Sequence, residues 1–297
     1  MTSEMMSTRE VAAYLGIKER KVYDLVRRRR IPCTRVTGKW LFPKTLVDQW
    51  INGTVEFAPI GASLAGPAPA VLAGSHDPLL EWALRESGSD LALLSAGSLD
   101  GLRRLADGEA AMCGMHVLDS ETGEYNVPAV RQSSVAREVV VLEWAWRQQG
   151  LVVAPGNPKG LEGMADLARP ELTVVQRQPE AGSQVLLVNL LQRARLSAAD
   201  LNLLAPPARS ESDVALAVLE GKADAGVAIA CVAAQFRLGF VPLVRERYDL
   251  VVRRRDFFEP PLQMLLQFAR SRPFERKAKE LEGYDVSDLG RVVWNGD

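Results

Sequence analysis

The chain has 297 residues, 47% hydrophobic and 25% charged, with a formal net charge of −1. This is the balance of an ordinary soluble globular protein, long enough for two or three domains. No run approaches the ~20 consecutive apolar residues of a membrane helix, and the opening MTSEMMSTRE lacks the basic start and apolar stretch of a secretory signal.

Cys33, Cys113 and Cys231 are an odd number and widely separated, which fits a reducing cytoplasm and not a disulfide framework. The charge is unevenly spread. Residues 1–52 hold 11 Lys and Arg against 5 Asp and Glu, a charge of +6, and the rest of the chain carries −7. A basic head on an acidic body points to a nucleic-acid contact confined to the head.

In chain order, Ser7 and Glu10 form a capping-box pattern, and Val11, Ala12 and Leu15 supply an apolar stripe for a first short helix. Gly16 suits the turn that ends it. Lys18 to about Arg29 reads as a second helix with Val22, Leu25 and Val26 facing inward. Lys18, Arg20, Lys21 and Tyr23 fall toward its N-terminal half, the part of a recognition helix that meets base edges. Pro32 stops helix propagation. Thr34–Val36 and Lys39–Phe42 alternate like two strands around Thr37-Gly38, and Pro43 opens a helix with Leu46, Val47 and Trp50. Asn52 to about Gly66, rich in Gly, Pro, Ala and Ser, reads as a linker, placed in the domain division at residues 53–68.

From Ala70 the pattern becomes α/β, with short apolar strands alternating with helices. Strands are expected at Val71–Ala73, Leu91–Leu94, Ala110–Met115, Thr173–Gln176 and Ala225–Ile229. Helices are expected after Pro78, at Leu99–Leu105, Leu161–Leu167, Val185–Arg195, Glu211–Leu219, Pro260–Arg270 and Phe274–Leu281. Val139–Trp146 and Leu151–Ala154 read as strands separated by Gln148-Gln149-Gly150. Val241–Leu243 and Tyr248–Val252 read as crossing strands. Three strands run into a small-residue turn with a serine just before a helix: Ser75, Ser98 and Ser183. Each alone reads as a helix cap. Together, at the carboxyl ends of strands in an open sheet, they point to a ligand cleft.

The head resembles the excisionase-type, MerR-like winged helix-turn-helix family. The match rests on Thr8-Arg9-Glu10-Val11-Ala12, Leu15-Gly16, Val22-Tyr23, Ile31-Pro32 and Gly38-Lys39-Trp40 followed by Phe42. The resemblance implies that the second helix enters the major groove of double-stranded DNA and that the wing touches backbone or minor groove. The DNA-contacting set is then Thr8, Lys18, Arg20, Lys21, Tyr23, Arg27, Arg28, Lys39 and Trp40. The larger part resembles the type 2 periplasmic-binding-protein-like sensor domains fused to such heads. The residues that carry this are Gly74-Ser75-His76-Asp77, Gly97-Ser98, Met115-His116, Tyr125-Asn126-Val127-Pro128, Arg177-Gln178, Gly182-Ser183, Ala223-Asp224-Ala225-Gly226 and Glu246-Arg247-Tyr248-Asp249-Leu250.

That resemblance implies two lobes, about 69–148 with 242–297 and about 149–241. It also implies a small molecule between them, an oxyanion such as molybdate or tungstate in relatives. The ligand-contacting set it implies is Ser75, His76, Asp77, Ser98, His116, Tyr125, Asn126, Arg177, Gly182, Ser183, Gln184 and Asp224. The relatives often carry Arg where this chain has Gln184, and Glu180 adds negative charge beside it. Both changes weigh against a dianion. Neutral or zwitterionic ligands stay open.

Ser75-His76-Asp77 are consecutive, a poor source of triad geometry, and no Cys/His spacing fits a zinc site. No catalytic residue, metal or cofactor is expected. The expectation is a cytoplasmic, homodimeric, ligand-responsive DNA-binding regulator. Two other readings fit the same residues: a binding protein whose head engages a protein or recombination complex, and an enzyme acting in the cleft.

Overall fold

The computed structural model describes residues 5–36, 38–53 and 69–296. Thr37 and residues 54–68, which hold one turn residue and most of the expected linker, lie outside the described residues. The chain divides into two compact units, Met1–Pro67 and Ala68–Asp297.

The N-terminal unit runs β1 (Met5–Ser7), α1 (Thr8–Tyr14), α2 (Glu19–Arg27), β2 (Thr34–Val36), β3 (Lys39–Pro43) and α3 (Lys44–Gly53). The capping box is made in full: Ser7 N–H donates to Glu10 Oε2 at 2.7 Å, and Glu10 N–H donates to Ser7 Oγ at 3.3 Å. The antiparallel sheet has the order β1-β3-β2. Strand β1 was not expected. Its pairing Met5↔Pro43 and Met6↔Phe42 keeps Pro43 in the sheet, so α3 starts one residue later than the proline suggested. Val11, Val22, Phe42 and Val47 are wholly buried and make the small core, with Met6, Ala12 and Ile31 around them.

The C-terminal unit starts with β4 (Val71–Gly74), α4 (Pro78–Ser87), β5 (Ala92–Ser95), α5 (Ser98–Asp107), β6 (Met112–Met115) and α6 (Val127–Gln132). It continues with β7 (Val139–Val153), β8 (Thr173–Arg177), α7 (Gly182–Arg193), β9 (Asn202–Ala208), α8 (Glu211–Leu219), β10 (Ala225–Ile229), α9 (Ala230–Gln235) and β11 (Gly239–Arg253). Helices α10 (Pro260–Ala269) and α11 (Arg272–Glu280) and short strands β12 (Tyr284–Asp285) and β13 (Val292–Trp294) close it.

The sheet path is β5-β4-β6-β11-β7-β10-β8-β9. Strands β5, β4 and β6 are parallel, as are β10, β8 and β9, and each group carries its own crossover helices. These are the two lobes. Each has a core on both faces of its strands, as parallel sheets require.

The lobes are joined by β7 and β11, two 15-residue antiparallel strands paired along nearly their whole length. Each is continuous where the sequence suggested two pieces. Gln148-Gln149-Gly150 is strand and not turn. A Cβ on Gly150 would lie 2.3 Å from the Val241 carbonyl oxygen, so the glycine serves close approach of the two crossing strands. The expected helix at Leu161–Leu167 is a short 3₁₀ turn, Met164–Ala168. Strand β9 was hidden by Pro206 and Pro207, which an edge strand tolerates.

Candidate ligand cleft and nucleic-acid interface

The turns at the carboxyl ends of β4, β5, β6, β8 and β10 gather along the boundary between the lobes. The three serines do not cap their helices. The residues at the cap positions are Asp77, Gly97 and Ala181. Instead Ser75 Oγ and Ser98 Oγ, both buried, lie 2.8 Å apart, and His116 N–H donates to Ser98 Oγ at 3.2 Å. Ser183 Oγ is buried with no hydrogen-bond partner among the described residues. The lobes meet here: a Cβ on Gly182 at the start of α7 would lie 2.8 Å from the His116 carbonyl oxygen.

Beneath the serines lies a buried ionic network built largely from the crossing strands. Arg147 Nη1 donates to Asp77 Oδ2 at 3.0 Å, and Arg147 Nη2 donates to Glu246 Oε1. Glu246 also faces His116 Nδ1 at 2.8 Å and accepts from Gln149 Nε2 at 3.0 Å. Gln149 Nε2 reaches Glu211 Oε1 at 3.1 Å, and Glu211 Oε2 accepts the Ile229 N–H at 3.0 Å.

Burial works to raise the Glu246 carboxyl, but Arg147 and His116 overcome it and hold the group below the ordinary carboxylate range. Arg147 is fully buried, which alone would favour its neutral form, yet Glu246 and Asp77 hold its pKa well above the usual value. Tyr248 stacks near His116, donates to the Ser75 carbonyl at 2.5 Å, and lies under the Arg147 guanidinium at 4.6 Å. Its hydroxyl is raised well above the ordinary range by burial and by Asp77.

Asp77 accepts from Leu80 N–H, Trp144 Nε1, Arg147 and Tyr284, so all its acceptor directions are taken inside the protein. His76 is half-buried and pairs with Glu81 at 2.7 Å at the rim of a second interlobe opening of about 600 Å3. A separate pocket of about 430 Å3 holds Arg177 and Gln184.

Two expected contacts are relocated by the structure. Asp224 precedes β10 at the opposite end of that strand from the cleft. There it accepts the Thr173 N–H at 2.8 Å and faces Lys159. Asn126 is fully buried within the first lobe, accepting the Val117 N–H at 2.6 Å and donating to Asp249 at 2.8 Å, so it clamps a loop. Tyr125 is buried edge-on against Trp146, its hydroxyl donating to the Arg245 carbonyl at 3.3 Å. Arg147, Gln149 and Glu211, which dominate the centre, were not expected. Glu246 enters the sequence reading only through the resemblance. Their signal was present: Glu143 and Arg147 interrupt an otherwise apolar run in β7, and a charge inside such a run must find a buried partner.

In the N-terminal unit, Lys18, Arg20, Lys21, Tyr23 and Arg27 line one groove on α2 with Asp24. Arg20 and Tyr23 are exposed, and Lys18 is the exposed first residue before the helix. Asp24 holds Arg27 at 3.0 Å, Arg28 at 3.2 Å and Lys21 at 3.9 Å. Lys39 is exposed on β3, and Trp40 is half-buried with the Arg35 guanidinium 5.3 Å above its ring. Thr8 is half-buried in the first turn of α1. Thr8, Lys39 and Trp40 stand on other elements, outside the α2 groove.

Residues 81–270 match the profile of the PBP superfamily domain, and residues 5–54 match that of a helix-turn-helix domain. The chain belongs to the PBP superfamily, with an N-terminal helix-turn-helix domain. It is 27% identical to the uncharacterized protein YvgK of Bacillus subtilis (strain 168) over 96% of each chain. Among solved structures it overlaps Peb3 from Campylobacter jejuni with a TM-score of 0.48 and 15% identity, over 72% of this chain and 98% of that one. The sulfate-binding protein SubI from Mycobacterium tuberculosis H37Rv gives a TM-score of 0.49 and 17% identity, over 75% of this chain and 86% of the other. No helix among the described residues is long and apolar enough to cross a membrane.

Proposed function

We propose that this chain is a cytoplasmic, ligand-responsive transcriptional regulator with an excisionase-like, winged DNA-binding head. It binds a small molecule in its two-lobed domain without turning it over. The carrying observation is the pairing, in one chain, of an exposed basic helix of a helix-turn-helix domain with a two-lobed PBP superfamily domain. Lobe movement about β7 and β11 would couple ligand to DNA affinity, a coupling typically worth about 1–3 kcal/mol. Such heads read paired half-sites, so the working form is a homodimer. Gel retardation on the DNA upstream of the chain's own coding sequence tests this. Sequence-selective, salt-sensitive retardation supports the regulator, and its absence supports a head that engages protein. Light scattering that finds a monomer with and without DNA would remove the dimer. Chemical change of a bound small molecule during incubation would make the protein an enzyme.

Molybdate and tungstate meet a physical obstacle at the buried centre between the lobes. Asp77 and Glu246 pair with Arg147 there, Glu211 is linked to Glu246 through Gln149, and Gln184 Oε1 is already taken by the Arg177 N–H at 3.0 Å. A dianion added to that centre meets like charge in a low dielectric. Neither ion is expected to raise the unfolding temperature, and a clear rise with molybdate would restore the oxyanion reading.

A further inference from the structure

Away from the ionic centre, the 430 Å3 pocket lies between the Leu118–Ser120 loop of the first lobe and the flank of α7 in the second. Its lining holds one cation without an anionic partner and one polar atom without a hydrogen bond among the described residues. The Arg177 side chain donates to the Gln178 side chain and to the carbonyls of Ala208 and Arg209, but no carboxylate pairs with it among the described residues. Glu211 and Asp213 act on it only at a distance. Asn189 is 6% exposed, and its Oδ1 has no hydrogen-bond partner among the described residues. The half-buried guanidinium lacks a counter-ion and is open to an anion, and a buried carbonyl oxygen without a donor is costly. The wall between them is apolar, with Leu118 and Val188.

We infer that this pocket binds a small organic monocarboxylate that carries a hydroxyl or amino group at its far end. The carboxylate pairs with Arg177, the far group donates to Asn189 Oδ1, and the body of the ligand covers Leu118 and Val188. The inference rests on the C-terminal unit being a ligand-sensing domain.

The test is calorimetric titration of the full chain with 4-hydroxybenzoate, benzoate, 4-hydroxybenzyl alcohol and sulfate. 4-Hydroxybenzoate is expected to bind once per chain. Benzoate, lacking the donor, is expected to bind about tenfold more weakly or worse. The alcohol and sulfate are expected to give no measurable heat. Val188 is 40% exposed, so Val188→Trp blocks the pocket without touching the core and should abolish binding. Arg177→Gln should do the same, and Arg177→Lys should retain part of the affinity if charge is what matters. Unchanged affinity in Val188→Trp, equal binding of benzoate and 4-hydroxybenzoate, equal binding of sulfate, or no binding of any carboxylate would each overturn the proposal. DNA retardation by the same preparation separates the two readings. Retardation without carboxylate binding sinks the pocket and leaves the regulator. Carboxylate binding without retardation does the reverse.

Discussion

The head and the body place their charges in opposite ways. In the body, Asp77, Arg147, Glu246 and Glu211 are buried; each carboxylate is met by named hydrogen bonds, and so are both terminal nitrogens of the guanidinium, only Arg147 Nε lacking a partner among the described residues. On α2 and at its two ends, Lys18, Arg20, Lys21, Arg27 and Arg28 are exposed, and what pairing exists converges on one carboxylate, Asp24. Buried charge of the first kind fixes geometry, because any other arrangement leaves an ion without a partner. Exposed charge of the second kind adds little to folding and is available to a partner. The same residue types therefore serve architecture in one region and recognition in the other.

The sharpest way to break this contrast is to remove the centre of the buried network. Arg147→Met leaves Asp77 and Glu246 without their cation. It should cost about 3–5 kcal/mol in urea unfolding followed by tryptophan fluorescence. A loss as small as that of an exposed pair would show that water reaches the network, and the contrast would fail.

A second, smaller effect lies in the pH dependence of the C-terminal unit. Glu246 is held below its ordinary 4.5, so its contribution is present above that value and is lost as pH falls through the lowered pKa. Asp249 has the opposite sign. Burial raises it to about 6 despite Arg247 and Asn126, so its contribution is complete below the ordinary 3.8 and is lost as pH rises through about 6. Unfolding free energy should therefore fall on the acid side through Glu246 and between pH 3.8 and about 6 through Asp249. Glu246→Gln should flatten the first limb and Asp249→Asn the second. A parent profile level from pH 3.8 to 6 would contradict the Asp249 assignment.

The head was more legible in the sequence than the body's centre, and for a physical reason. Its signals are local: Ser7 with Glu10, the turn at Gly16, and the two strands around Gly38 each act within a few residues. Strand β1 escaped because three residues carry no periodicity and its partner lies far along the chain. In the body, most elements follow from apolar periodicity, whereas the two lobes are implied by the resemblance; the serine turns fall at the carboxyl ends of strands as read, although none of the three serines caps its helix. The network joins residues 77, 116, 147, 211 and 246, separations that no local pattern reports. Gln148-Gln149-Gly150 reads as a break between strands because polar residues and glycine mark turns in most chains. Here Gln149 is polar to bridge two buried carboxylates, and Gly150 is small to admit β11.

On α2 the contrast sharpens into a comparison of neighbours. Arg20 has no ion pair among the described residues, whereas Lys21 sits 3.9 Å from Asp24. If the groove meets DNA phosphate, Arg20→Ala should weaken binding severalfold and lower the slope of log affinity against log salt by about one. Lys21→Ala should do less, because part of its charge is already balanced. The smallest effect belongs to Asp24. Its carboxyl is half-buried; burial works to raise it, but Arg27, Arg28 and Lys21 together hold it below the ordinary value, so at neutral pH it is a fixed negative charge in a basic groove. Asp24→Asn removes that charge and frees three cations while keeping the side chain's size. Stability should change little, since exposed pairs contribute about 0–1 kcal/mol. DNA affinity should rise about two- to fivefold at low salt, and the gain should shrink as salt screens the groove. Weaker binding by Asp24→Asn would mean that Asp24 orients those cations, and then the head, like the body, would be using a carboxylate to set geometry.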